Sequence, residues 1–368
     1  MLNVNTKIRR KPASLYIMIT LMAIACASLG FFYVMRDNEH FAEAVERNFS
    51  MPVRRALGAV SAHVSFSLAE LVCAAAVVIF TGYAVVSAVR IKRSARGWRM
   101  ASKSALVLII CGAYIWSAFC WLWGIAYYTP KFSEKSAIPA NSLIIQDELE
   151  CVAKEFLCRA NALAPVMARD EDGSFAEDMD SCLLRAQSLY DNIRQEFSFL
   201  SGDIKTPKRL VFSRLMSRMG FTGFYFPFTG ETNINMDVPH CLIPSTIGHE
   251  LAHSLGITSE QECDFLGIAA CIASNDAVYE YSGYLSGLIY LMNTLRRTDI
   301  QTWIQLRAEF SEPLAADWAE NNAYWAKMKS HVKEISNSFY DSYLKNNGQP
   351  LGMRSYNACV TMLVEYYK

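Results

Sequence analysis

Thr246-Ile247-Gly248-His249-Glu250-Leu251-Ala252-His253-Ser254-Leu255 is the stretch on which the reading of this chain turns. His249 and His253 stand four residues apart with Glu250 between them. On an α-helix, positions i and i+4 share a face, so both imidazoles can reach one metal ion. Glu250, next to His249, is angled to hold a water at that ion. Two ligands, a base and an open coordination position make a hydrolytic site in outline. Ile247, Leu251 and Leu255 form an i, i+4, i+8 apolar stripe that would bury the back of the helix. Glu250 is the only charged residue between Thr246 and Leu255.

A catalytic zinc takes three protein ligands. Pro244-Ser245 marks a helix start, because proline suits the first turn, and Gly256 marks its stop. Ser259-Glu260-Gln261-Glu262 reads as a capping box that opens a second helix. Two helices joined through a short glycine turn run back on each other and bring Glu260 towards the histidines. Asp264, one turn further on, is placed to accept the spare N–H of a ligand histidine. Glu262 is the rival carboxylate, and closing the capping box accounts for it. This HExxH-plus-ExxxD pattern resembles that of the gluzincin metallopeptidases, with an unusually short link between the two parts. The resemblance implies that His249, His253 and Glu260 bind Zn²⁺, that Glu250 is the catalytic base, and that Asp264 orients a ligand. A metzincin pattern shares Gly256 but has Ser259 where its third ligand should stand.

The chain is 52% hydrophobic and only 19% charged, and local segments explain the imbalance. Ser14–Met35, Ser65–Val89 and Ser104–Tyr128 are each more than twenty residues long and almost free of charge, Glu70 excepted. Each is long enough to cross a bilayer. Lys7, Arg9, Arg10 and Lys11 precede the first. Arg90, Lys92, Arg93, Arg96, Arg99 and Lys103 crowd the link between the second and third with no acid among them. By the positive-inside rule the N-terminus and that link are cytoplasmic, and everything after the third span is extracytoplasmic. Ala23-Ile24-Ala25-Cys26 faintly resembles a lipoprotein cleavage site, but the apolar run continues to Met35 and reads as a retained anchor. Residues 1–130 therefore form a membrane region and 131–368 one extracytoplasmic domain.

The expected fold is mainly α with a small β-sheet, an α+β arrangement of zincin type behind three N-terminal transmembrane helices. Gln146–Ala164 and Leu183–Leu200 read as helices, and the acidic stretch Arg169–Asp180 as a solvated loop. Gly223–Phe228 reads as a strand, Thr229-Gly230 as a turn, and Glu231–Asn235 as a second extended segment. Pro227 suits a sheet edge, where a peptide could add as a further strand, although an ordinary core hairpin fits equally. Phe265–Ser274 and Gly283–Met292 are apolar but interrupted by Asn275, Asp276 and Glu280, which favours buried helices over a fourth span. Tyr281 and Tyr284 are candidates to steady an oxyanion, against the ordinary reading of tyrosines in a core. His240 and His331 are lone histidines that read as structural. Seven of the eleven cysteines follow the third span; Cys151/Cys158 and Cys263/Cys271 share helix faces and read as buried thiols. A reducing compartment would account for them too. Zero net charge and the absence of a basic stripe or a glycine-rich phosphate loop argue against nucleic acid and nucleotides as partners.

The chain also resembles a bacterial membrane family known as domain of unknown function 3810. The resemblance rests on Phe226-Pro227-Phe228-Thr229-Gly230-Glu231-Thr232-Asn233, on His249 to Ile257, and on Glu260-Gln261-Glu262-Cys263-Asp264-Phe265. It continues through Tyr281-Ser282-Gly283-Tyr284 and the tail Tyr343 to Gln349. It implies a zincin-like membrane protein without a substrate. Three functions follow as expectations: a membrane-anchored zinc peptidase with a peptide or protein substrate; a non-catalytic membrane sensor or scaffold with a structural zinc; and a degenerate zincin that binds peptides uncut.

Overall fold

The computed structural model describes residues 13–328 and 356–368, with Glu334, Ser338, Asp341, Ser342 and Lys345 between them. His331 and the tail Tyr343 to Gln349, Lys345 excepted, fall outside the described residues. Helix α1 (Ala13–Met35) leads through α2 (Glu39–Val45), a π-helical turn at Glu46–Ser50 and α3 (Met51–Ser61) to the helical hairpin α4 (Leu68–Arg93) and α5 (Gly97–Leu122). Three of these, over Leu15–Met35, Leu68–Arg93 and Gly97–Leu122, are long and apolar enough to span a membrane. Ser28 Oγ meets Ser117 Oγ at 2.7 Å, and Tyr114 donates to Leu21 O, so α1 runs parallel to α5. The ends at Met35, Leu68 and Leu122 therefore face one side, and Arg90, Lys92 and Arg93 in the last turn of α4 lie at the other.

The third helix is shorter than its apolar run, which continues to Tyr128. It ends at Leu122, and Gly124–Tyr128 is a 3₁₀ turn. The cause is capping from outside. Arg54 donates to Leu122 O and Ser50 Oγ to Trp121 O, taking the carbonyls that another turn of helix would have used.

The remaining described residues are mostly helical. It comprises α6 (Phe132–Ser136), α7 (Gln146–Leu163), α8 (Met179–Arg185), α9 (Ile193–Glu196), α10 (Ser213–Met219), α11 (Ile243–Ser254), α12 (Glu260–Ile272), α13 (Ala277–Thr298), α14 (Ile300–Ala308), α15 (Glu312–Lys327) and a C-terminal helix, Tyr356–Tyr367. One small sheet has the order β1 (Lys208–Arg209), β3 (Glu231–Ile234), β2 (Gly223–Phe226). Strand β2 is antiparallel to β3, with Gly223 opposite Ile234 and Phe226 opposite Glu231, and it forms an edge. The stripe Ile247, Leu251 and Leu255 is buried, as its spacing predicts. Helices α12 and α13 are buried elements of the same core, not a fourth span.

Some local expectations are overturned. Leu183–Leu200 is not one helix: a 3₁₀ turn and a short α9 follow α8. Tyr190 donates to Gly248 O at 2.7 Å and Asn192 to Ala273 O at 2.6 Å, and these tertiary bonds break the helical pattern. Cys151 and Cys158 share a face of α7, but that face is exposed; Cys182, Cys241, Cys263, Cys271 and Cys359 are buried, and all eleven cysteines are free. The loop after Arg169 is partly anchored, because Phe175 is buried against Tyr281 and Arg169 pairs with Asp317.

The membrane hairpin and the sheet cap each other. Buried Glu231 accepts from Leu68 N and Ala69 N at the start of α4, from Thr229 Oγ1, and from the Lys208 ammonium. In return Glu70, in the first turn of α4, accepts from Val211 N and Phe212 N, both at 2.8 Å, where α10 begins. Ser67 Oγ donates to Asn233 Oδ1 at 2.6 Å. A carboxylate at a helix N-terminus satisfies free N–H groups and complements the helix dipole. The segment between the first two spans also docks here, through Lys208 to Ser61 O and Arg55 to Ser201 O. Truncating Glu231 to alanine strands Lys208, which is 7% exposed. It is expected to cost roughly 3–5 kcal/mol, read as a lowered midpoint of thermal unfolding in detergent.

Candidate metal centre

Helix α11 opens with Pro244 in its first turn and closes in a Schellman motif. Gly256 N donates to His253 O and Ile257 N to Ala252 O, with Gly256 at φ +94°. Only glycine takes that left-handed conformation at no cost. The turn delivers the Ile257 carbonyl to His253, whose Nδ1 lies 2.8 Å from it. A carbonyl only accepts, so the proton of neutral His253 sits on Nδ1 and its Nε2 lone pair is left free.

Helix α12 returns across α11 with their backbones in contact. A Cβ added to Gly248 would lie 2.8 Å from Gly267 O, and one added to Gly267 only 2.6 Å from His249 N. This crossing brings Glu260 and Asp264 onto the histidines. His249 Nδ1 donates to Asp264 Oδ1 at 2.8 Å, leaving Nε2 as its lone-pair atom too. Glu260 Oε2 lies 3.3 Å from His249 Nε2 and Oε1 lies 3.5 Å from His253 Nε2. Among the described residues these three side chains form a group able to hold a metal ion, one ligand atom of each within 4.8 Å of the others.

Glu262 is elsewhere. Its carboxylate accepts from Phe132 N, Ser133 N and Ser133 Oγ, capping α6 rather than its own helix. The expected capping box is therefore absent, and Ser259 makes no side-chain cap bond. Burial decides this: three donors from the segment after the third span leave Glu262 nothing for its own backbone. Cys263 Sγ lies 3.3 Å from His253 Nδ1, on the side of the ring away from the ligand atom. Burial, then the neighbouring acids, push its thiol pKa well up, so it stays neutral.

Glu250 is 4% exposed, and its Oε2 has no hydrogen-bond partner. An unpaired buried carboxylate oxygen asks for a reason. It lies against edge strand β2, where a Cβ on Gly223 would fall 2.9 Å from Oε1. Burial raises the Glu250 pKa above the usual carboxylate range, against the lowering pull of the two histidines. Glu260 moves the other way. Burial would raise it, but His253 and His249 together hold it well below the ordinary value. His249 is held well above its ordinary value because Asp264 and Glu260 outweigh burial. The group is thus a pair of imidazoles and a firmly ionised carboxylate, beside a second carboxylate of weaker acidity.

All of these groups line a cavity of about 820 Å³. Tyr281 and Tyr284 do not reach it. The Tyr281 hydroxyl donates to Asp317, whose carboxylate also takes both Arg169 nitrogens at 2.9 Å, and Tyr284 packs on Phe156. Those partners occupy both oxygens of Asp317, which with Cys241 and Glu320 forms the other candidate cluster among the described residues. Sequence reading missed Trp123, whose ring meets His253 edge-on at 5.9 Å, and Tyr225 of β2, 5.3 Å from Trp123. Arg54 lies over Trp123 and pairs with buried Glu46. None of these has a spacing relation to the histidines, so no local pattern announces them.

A mainly helical membrane protein with a His–His–Glu centre is the class this geometry defines. The chain belongs to the family described as Protein of unknown function (DUF3810), whose model matches residues 46–364. No curated protein and no solved structure matches it.

Glu260→Ala is expected to abolish stoichiometric uptake of a divalent cation, and Asp264→Ala to weaken it about 10–100-fold, read by metal titration of the purified protein. Glu262→Ala should leave uptake intact and lower only thermal stability. Gly267→Val, which forces a branched side chain into backbone, should lose both the ion and stability.

Proposed function

We propose that this protein is a membrane-anchored zinc metallopeptidase that hydrolyses peptide bonds. The observation that carries the reading is that both imidazole Nδ1 atoms are committed, to Asp264 and to Ile257 O, while both Nε2 atoms and Glu260 converge. Two imidazoles that present Nε2 and one carboxylate, with three protein ligands and space left over, make a donor set that suits zinc. When bound, zinc acts as a Lewis acid that acidifies water and polarises a carbonyl.

The chain's own groups supply the rest. Glu250, unpaired and raised in pKa, accepts the proton of the attacking water and passes it to the amine nitrogen as the C–N bond breaks. Asp264 and Ile257 O hold the two rings in one tautomer and one orientation. Strand β2 offers its free edge along the cavity, so an extended peptide can pair with it and lie across Glu250, with Gly223 keeping the backbone close. A structural zinc would need a fourth protein ligand, and among the described residues the group has three.

The basic end of the spans lies opposite the domain, which supports a cytoplasmic N-terminus and an extracytoplasmic zinc domain in the cell membrane. The test is Glu250→Gln in the full-length protein. Zinc content should be unchanged and hydrolysis of a peptide library should fall by about 10²-fold or more. Undiminished hydrolysis with zinc bound would sink the reading.

A further inference from the structure

The cavity wall is partly made of membrane helix. Phe119 lies in α5, while Trp123 and Tyr127 directly follow it, and all three line the space in front of His249 and His253. From Ser104 to Trp123 is roughly twenty residues, or about 30 Å of helix, which is the thickness of a bilayer's hydrocarbon core. Trp123 therefore marks the rim of that core, and its ring is 5.9 Å from the ring of His253. By this arithmetic the candidate metal centre stands level with the end of the third span, not at the end of a stalk.

Other features mark the same level. Phe119, about one helical turn short of Trp123, contacts Phe228 in the turn after β2 at 6.4 Å, so the domain meets the span at its end. On the side of α4, Glu70 holds the start of α10 against the first turn of that span. Val211, Phe212 and Leu215 there are 77%, 54% and 53% exposed. Large apolar side chains held beside a span at headgroup depth are continuous with its lipid-facing surface. The residues that follow α10, Phe221 and Thr222, line the cavity and lead into the edge strand. The reciprocal caps of Glu231 and Glu70 prevent the domain from swinging away from this height.

Resting on the peptidase reading, we propose that the cleft takes polypeptides that are themselves anchored in the bilayer, and cuts them close to the anchor. A segment a few residues from its lipid or transmembrane anchor is confined to this layer. It would reach β2 and Glu250 without leaving it. A segment far along a flexible chain spends most of its time above the site.

The test uses the full-length protein in phosphatidylethanolamine/phosphatidylglycerol vesicles. The probes are dipalmitoylated peptides with a randomised segment of about eight residues and a benzophenone beside it, spaced about three or about thirty residues from the lipid by Gly/Ser linker. Photocapture by the Glu250→Gln protein and cleavage by the native protein are read separately. The expected result is that the near series is captured and cut about threefold or more over the far series at equal surface density. Equal use of both, or preference for the far series, overturns the placement while leaving the peptidase reading in force. Near-series capture without cleavage keeps the placement and removes the peptidase reading. Capture of neither series overturns the placement.

Discussion

The backbones of α11 and α12 touch at Gly248 and Gly267, and the site depends on that contact. Side chains of ordinary size hold helix axes about 8–10 Å apart, and this pair lacks them at the point of crossing. With no Cβ on either side, the two helices close until a methyl group would collide with backbone at 2.6–2.8 Å. Glu260 then reaches both imidazoles and Asp264 reaches the back of His249. Tyr190, bonded to Gly248 O, holds the crossing from the far side. The short link does a second job, because its Schellman turn aims the Ile257 carbonyl at His253.

A second constraint ties the centre to the membrane. Glu231 and Glu70 each cap a helix that belongs to the other's part of the molecule, and Arg54, from the segment between the first two spans, closes the end of α5. Buried charges carry a large desolvation penalty, and here each is met by several donors or by an opposite charge. The result is a cavity with one wall of span helix, one of edge strand and one of α11 and α12. Such a wall joins the cavity to the apolar helices, a property that no feature of the histidine motif contains.

Legibility of the chain followed interaction range. The three spans, the bounds of α11, the glycine stop, the hairpin before it and the convergence of Glu260 with the histidines all rest on neighbours within about a dozen residues, where helical and strand periodicity constrain geometry directly. Glu262 was misread as closing a capping box because its real donors, Phe132 and Ser133, are more than a hundred residues away. Leu183–Leu200 was misread as a helix because Tyr190 and Asn192 bond outside it. Tyr281 carries an apt functional group, yet its partner Asp317 removes it from the cavity.

By itself, the sequence determined the class of the strongly periodic segments and the chemistry within reach of one helix turn: two imidazoles on a face, a carboxylate between them, an acid after a glycine turn, and three apolar stretches that water would reject. Only the tertiary structure decided which imidazole nitrogen faces Glu260, which donors Glu262 serves, and that Trp123 and Tyr225 share their cavity. The reason is physical. Periodicity sets direction along one element, whereas tautomer, burial and pKa depend on atoms that long-range packing brings together.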